Sequence, residues 1–199
     1  MACVPEHYRC MQRKYAGAAI CAIALSLFSF AAYRYTANFI VAQQRAELDA
    51  KWMAVKGYLR IESYGPDWFY DSYDPEEARI VEHLRRIFAL ADANGKLLRA
   101  SAAYERVGLR PLSERQTEMS TLTDFKAAYR RADSTLLRTG VLRARDGAPY
   151  YMSIGEDTGP ADAALRTLRL LLAAGVFVLT GLYVALSRWA AGGTTLRTT

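Results

Sequence analysis

The side chains best suited to chemistry lie in one short stretch. Glu62, Asp67, Asp71, Asp74, Glu76 and Glu77 fall within sixteen positions, interleaved with Trp68, Phe69, Tyr70 and Tyr73. Carboxylate oxygens suit hard cations such as calcium or magnesium, and aromatic faces attract organic cations. The candidate ligand residues are Asp67, Trp68, Asp71 and Tyr73, with His83 a little further on. Histidine titrates near neutrality when unperturbed, so His83 is also a candidate pH sensor. Each has a plainer reading. Asp74 and Glu77 suit helix capping and the other acids solvate a loop, while His83 sits among Glu82, Arg85 and Arg86, where a solvated role is the ordinary one.

The rest of the inventory argues against catalysis. There are two histidines, His7 and His83, and the three cysteines are Cys3, Cys10 and Cys21, so none lies between Arg34 and Arg169. No phosphate-binding glycine loop, H-E-x-x-H pair or G-x-S-x-G elbow occurs. Cys3, His7 and Cys10 would offer three soft ligands, but structural zinc takes four, and the segment reads as a frayed tail. No enzymatic activity and no cofactor is expected of this chain, and the identity of any metal is open. Met11 offers a second start for translation.

What positions these residues is decided by two apolar stretches. Tyr15–Tyr33 and Leu170–Ser187 contain no charged residue, and each is bounded by basic residues: Lys14 and Arg34, Arg169 and Arg188. About 18 to 20 such residues in a helix cross the hydrocarbon core of a bilayer. The first run is too long for the apolar region of a cleaved signal peptide, and Ile20 before Cys21 is unlike a lipoprotein site. Short flanking tails with Arg9, Arg13 and Lys14, and with Arg188 and Arg197, favour the cytoplasmic side. The expected organisation is a tail over 1–14, a span over 15–34, an extracytoplasmic domain over 35–168, a span over 169–188 and a tail over 189–199. Both termini are then cytoplasmic. The formal net charge is +6, yet acids and bases nearly balance between the spans. That balance leaves no basic patch for nucleic acid. The lipid bilayer is the first expected partner. Ala18, Ala22 and Ser26, and then Gly181 and Ala185, follow the small-residue spacing that lets helices approach closely in lipid.

The middle of the chain reads as an α+β domain. From Asn38 to Glu62 there is no proline, and Leu48, Trp52, Val55 and Leu59 recur at helical spacing, which predicts one helix continuing from the first span. Gly65-Pro66 breaks it, and Asp74-Pro75-Glu76-Glu77 opens a second helix running to about Arg85. Asn94-Gly95 within Ile87–Ser101 suits a tight type I′ hairpin. A short helix is expected over Ser113–Leu122. Strands follow over Phe125–Arg131, Leu136–Arg145 and Pro149–Gly155, the last two joined at Asp146-Gly147. With Asp157 or Thr158 as cap and Pro160 in the first turn, a final helix leads into the second span.

Two segments carry a resemblance: IFALADANGKLLRASAAYERVGL over Ile87–Leu109 and VLRARDGAPYYMSIGEDTGPADAALRTLRLLL over Val141–Leu172. With the order of elements around them, the chain resembles the amino-terminal sensor half of bacterial two-component sensor histidine kinases. The resemblance implies a PAS-like periplasmic sensor domain with an antiparallel sheet, flanked by two transmembrane helices. It also implies a bacterial inner membrane location, a homodimer and a role in signal transduction. Arg188–Thr199 stands where such a kinase would begin its HAMP linker, and no histidine follows the second span. Phosphotransfer is therefore expected of a separate kinase, or of one whose gene was truncated, rather than of this polypeptide. The alternative is a structural or accessory inner-membrane protein that binds a partner's membrane helices.

Overall fold

A computed structural model describes residues 6–62, 65–124, 126–144 and 146–192, with side chains described from Ala16 to Trp189. Phe125 and Arg145, which bound two expected strands, and the side chains of Cys3, His7 and Cys10 lie outside the described residues. The chain divides into two compact units, Ile40–Asp162 and Met1–Phe39 with Ala163–Thr199.

Helix α1 spans Glu6–Tyr58, and the last helix, α5, spans Gly159–Gly192. Both are long and apolar enough to cross a membrane by length and composition. Where they pack together, residues spaced by three or four, such as Ala18, Leu25 and Ser29 of α1 and Leu172, Val176 and Thr180 of α5, are half-buried. The close approach is made at Gly17, where an added Cβ would meet the Tyr183 hydroxyl at 2.6 Å. Gly181 and Ala185 instead face outward, while Ser26 lines an open groove with Leu172 and Val176 of α5, so only part of the expected small-residue pattern lies in the seam.

In the other unit α1 ends at Tyr58, earlier than its periodicity predicts, and Leu59–Glu62 forms strand β1. Leu59 fits both patterns: it closes the helical series from Leu48, and with buried Ile61 it begins a period-two alternation. β1 pairs antiparallel with β2, Gly65–Trp68, in a two-stranded ribbon where Pro66 is tolerated because no third strand needs its missing N–H. Helix α2, Pro75–Arg85, starts as expected, with the Asp74 carboxylate accepting from the Glu76 N–H at 2.8 Å.

Strands β3, Phe88–Ala91, and β4, Leu97–Ala100, form the first hairpin of the main sheet. Its turn differs from the expected type I′. Gly95 has φ +80°, but Asn94 is not in the positive-φ region. The Asp92 carbonyl accepts from the Gly95 N–H at 3.0 Å, and the Asp92 carboxylate takes the Asn94 and Lys96 N–H groups, both at 2.9 Å. This is a three-residue loop closed by a glycine, and it wins because the aspartate side chain organises the wider turn. Two short helices follow. Helix α3, Ala102–Gly108, goes beyond what periodicity predicts; Ser101 caps it, accepting from the Tyr104 N–H at 3.2 Å. Helix α4 covers Leu112–Ser120.

Strands β5, Ala128–Ala132, β6, Thr135–Arg143, and β7, Pro149–Asp157, complete a five-stranded antiparallel sheet in the order β4-β3-β7-β6-β5. The β6–β7 turn repeats the glycine solution at Gly147, φ +85°. One sheet face carries Phe88, Leu90, Leu136, Leu142, Met152 and Ile154, packed with Leu48, Trp52 and Val55 of α1 and Val81 and Leu84 of α2. The opposite face carries Ala89 and Leu137 against Ile87 and Tyr104. The α+β architecture with antiparallel sheets is thus present, and the core lies mainly between the sheet, α1 and α2.

Candidate functional site

The residues singled out from sequence do not converge. Trp68 is buried in the main core, edge-on to Phe88 with ring centroids 5.2 Å apart, and Arg85 lies 5.5 Å above its ring. It is a core residue because the β1–β2 ribbon turns it inward at the position paired with Leu59. Asp67 is exposed and accepts from the Trp68 N–H at 2.9 Å. Asp71 uses its carboxylate on the Tyr73 N–H at 2.9 Å, while its own N–H donates to Glu77 at 2.8 Å. Tyr73 is 95% exposed. These acids serve local backbone donors, as Asx turns do. Among the described residues no three His, Cys, Asp or Glu side chains gather as a metal site would require.

His83 lies on α2, largely exposed, near Lys51 and Glu47 of α1 and Arg86 at the end of its own helix. Partial burial lowers its pKa, and the charges of Lys51 and Arg86 lower it further against a smaller opposing effect of Glu47. The imidazole is held towards its neutral form.

A different cluster is better built. A small cavity of about 20 Å³ lies between α3–α4 and the second sheet face. Its floor is made of small and hydroxyl side chains: Ala89 and Ala91 from β3, Thr139 from β6 and Ser153 from β7. Register puts them together, since Ala89 pairs with Ser153 and Thr139 also pairs with Ser153, and the two hydroxyls are 2.9 Å apart. The roof is supplied by Arg110, Arg115, Glu118 and Met119. Several contacts hold that roof. Gln116 donates to the Asn94 carbonyl at 2.8 Å, and Arg130 donates to the Gly108 carbonyl at 3.2 Å. An added Cβ at Gly95 would lie 3.1 Å from Leu112, so the hairpin turn sits close on α4.

The electrostatics of this cavity are unbalanced. Arg110 forms an ion pair with Glu118, whereas Arg115 has no acidic partner among the described residues. Arg110 Nε and Arg115 Nε and Nη1 are buried without a hydrogen-bond partner. A buried donor left unsatisfied costs about 1–3 kcal/mol, and the adjoining cavity of about 20 Å³ admits one water as an acceptor. Comparison with protein families, with curated proteins and with solved structures finds no match to this chain. The site therefore stands on its own geometry. Arg110, in the link between α3 and α4, and Arg115 and Glu118 on α4 carry no signal of a site in the sequence, because charges in a short helical segment ordinarily read as a solvated face. The only available signal was the Gly108–Pro111 break, which hinted that a second helix folds back.

Three further ion pairs tie the long helices to the sheet. Asp49 of α1 accepts from Arg138 Nε at 2.6 Å and from the Tyr129 hydroxyl, and Arg138 stacks 4.2 Å above Trp52. Burial alone would raise the Asp49 pKa. The hydrogen bonds from Tyr129 and Arg138, and the charge of Arg138, outweigh it and hold the carboxyl below its ordinary value. Lys51 of α1 pairs with Glu156 of β7. At the other end, Asp162 in the first turn of α5 pairs with Arg131 of β5 and accepts from the fully buried Thr158 hydroxyl at 3.2 Å.

Proposed function

We propose that this chain is a membrane-bound signal-sensing module of the two-component, histidine-kinase type. It would work as a homodimer in a bacterial inner membrane, with both termini cytoplasmic and the Ile40–Asp162 unit in the periplasm as a PAS-like domain. Its output would be read by a separate kinase or another membrane protein. The observation that carries this reading is the double role of the long helices. The range of α1 includes an apolar stretch of spanning length and also Leu48, Trp52 and Val55, which are buried in the core with the sheet. α5 likewise begins at the Arg131–Asp162 clasp and contains the second apolar stretch. A ligand that favours one arrangement of the sheet and its helices biases the spans by its difference in affinity for the two states.

The test is disulfide crosslinking in membranes. Single cysteines are placed along Thr36–Leu48 after Cys3, Cys10 and Cys21 are changed to serine. Crosslinks between copies whose pattern shifts with small acids, cations or pH support the sensing role. A monomer, or crosslinks indifferent to every condition, would sink it. Co-purification with a partner and no such response would favour the accessory-protein reading, for which the outward-facing Leu27, Phe28, Phe177 and Leu182 provide apolar surface.

A further inference from the structure

We propose that the open groove between α1 and α5 holds one acyl chain of an anionic phospholipid, whose phosphate is met by the Arg169 guanidinium. The inference rests on the two long helices spanning a bilayer and is independent of the sensing role. Helical spacing builds the groove. Ser26, Ser29, Phe30 and Tyr33 follow the i, i+3, i+4, i+7 series of one face of α1, and Arg169, Leu172, Ala173 and Val176 follow the same series on α5. Between the two faces lies a space of about 460 Å³, within the roughly 300–1,000 Å³ of sites that take small molecules. The short side chain of Ala173 leaves this space open.

Charge sets the headgroup. Gly17 meets Tyr183, so the helices run antiparallel, and Tyr33 and Arg169 share one end of the groove. Arg169 forms no ion pair among the described residues. The chain has no acid between Glu6 and Glu47 and none after Asp162, whose carboxylate is taken by Arg131. Arg34 follows Tyr33 directly and Arg166 lies one turn before Arg169, so this end gathers positive charge alone. A guanidinium matches phosphate oxygens, and basic pockets between membrane helices suit anionic headgroups. A zwitterionic headgroup would bring an ammonium among these arginines with no carboxylate to answer it. Length and polarity set the rest. Leu172, Val176 and Phe177 give the deeper part an apolar lining, as a hydrocarbon chain requires. At 1.5 Å per residue the two lining faces run about 10 and 12 Å from the charged end. That is most of the roughly 15 Å depth of one leaflet's hydrocarbon. A helix of a second copy would continue its contact across both leaflets, so the length favours an acyl chain.

The experiment places the full chain in mixed micelles with phosphatidylglycerol or phosphatidylcholine at equal mole fraction and counts the retained lipid by native mass spectrometry. The expected result is one phosphatidylglycerol per chain, retained about fivefold over phosphatidylcholine. Arg169→Gln should abolish that preference and Arg169→Lys should restore part of it. Ala173→Leu fills the groove and should lower retention of both lipids severalfold; it carries the test alone if Arg169→Gln fails to fold. Equal retention of the two lipids, a preference unchanged in Arg169→Gln, or retention unchanged in Ala173→Leu would each overturn the proposal. So would disulfide crosslinks between copies from Ala173→Cys in phosphatidylglycerol bilayers, with the native cysteines changed to serine, because the groove would then house a second copy. Release of the chain from membranes by alkaline carbonate would remove the spanning helices and the proposal with them. Retained phosphatidylglycerol with a crosslink pattern over Thr36–Leu48 indifferent to every condition would remove the sensing role and leave the lipid site standing.

Discussion

Trp52 and Gly140 form a lock between α1 and the sheet that is open to a quantitative test. A Cβ added at Gly140 would lie 2.9 Å from two ring carbons of Trp52 and 3.3 Å from Arg138 Nη1, and the Arg138 guanidinium stands 4.2 Å from the ring centroid. Trp52→Leu removes part of a buried aromatic ring, for which about 2–3 kcal/mol is expected from large-to-small core substitutions. Gly140→Ala meets two opposing effects. Alanine favours the extended strand over glycine by about 0.5–1 kcal/mol, but overpacking against the ring costs about 1–3 kcal/mol. Alone, Gly140→Ala is therefore destabilising. In the Trp52→Leu background the ring is gone and the same change becomes neutral or stabilising. The coupling between the two substitutions should be about 1–3 kcal/mol, the cost of the clash that only the wild-type ring produces. Urea unfolding followed by pulse proteolysis of the full chain in micelles reads this directly. Additivity to within about 0.5 kcal/mol would refute the packing of Trp52 on Gly140.

Other expectations follow from the same contacts. The Asp49 carboxyl has a folded-state pKa below its unfolded value of 3.8, so its stabilising contribution is complete above that value and is lost as pH falls through the folded pKa. Acid unfolding of Asp49→Asn should lack this component, and identical acid profiles would refute it. His83 has a folded-state pKa below 6.5, so protonation disfavours the fold and stability falls as pH drops below 6.5. A nuclear magnetic resonance titration of its ring should show a midpoint below 6.5, and an unshifted or higher midpoint would refute the combined effect of burial, Lys51 and Arg86. Gly17→Val should loosen the packing of α1 on α5, because the Tyr183 hydroxyl occupies the space for its Cβ. Crosslinking between single cysteines at positions 22 and 180 should fall severalfold, and recover when Tyr183→Ala is added.

Which parts of this protein were legible in one dimension follows from the range of the forces involved. The two helices long and apolar enough to cross a membrane were visible because about 18 consecutive uncharged residues match the thickness of a hydrocarbon core and rarely suit a water-facing surface. The Asp74 cap was visible because an acid before proline satisfies orphan N–H groups within its own turn. Both glycine hairpins were visible for a similar reason, although Asp92 changed the turn type through a contact only two to four residues long. Each of these interactions closes within a few positions, so residue order alone determined it. Tertiary structure decided what comes from far apart. Leu59 could end a helix or begin a strand, and its pairing with Trp68 settled the choice and sent Trp68 into the core. Asp49 meets Arg138 across 89 positions. The cavity joins β3, β6, β7 and α4, whose side chains share no periodicity in the sequence. Burial is what left two nitrogens of Arg115 without a protein partner among the described residues, and burial is a property of the folded chain alone.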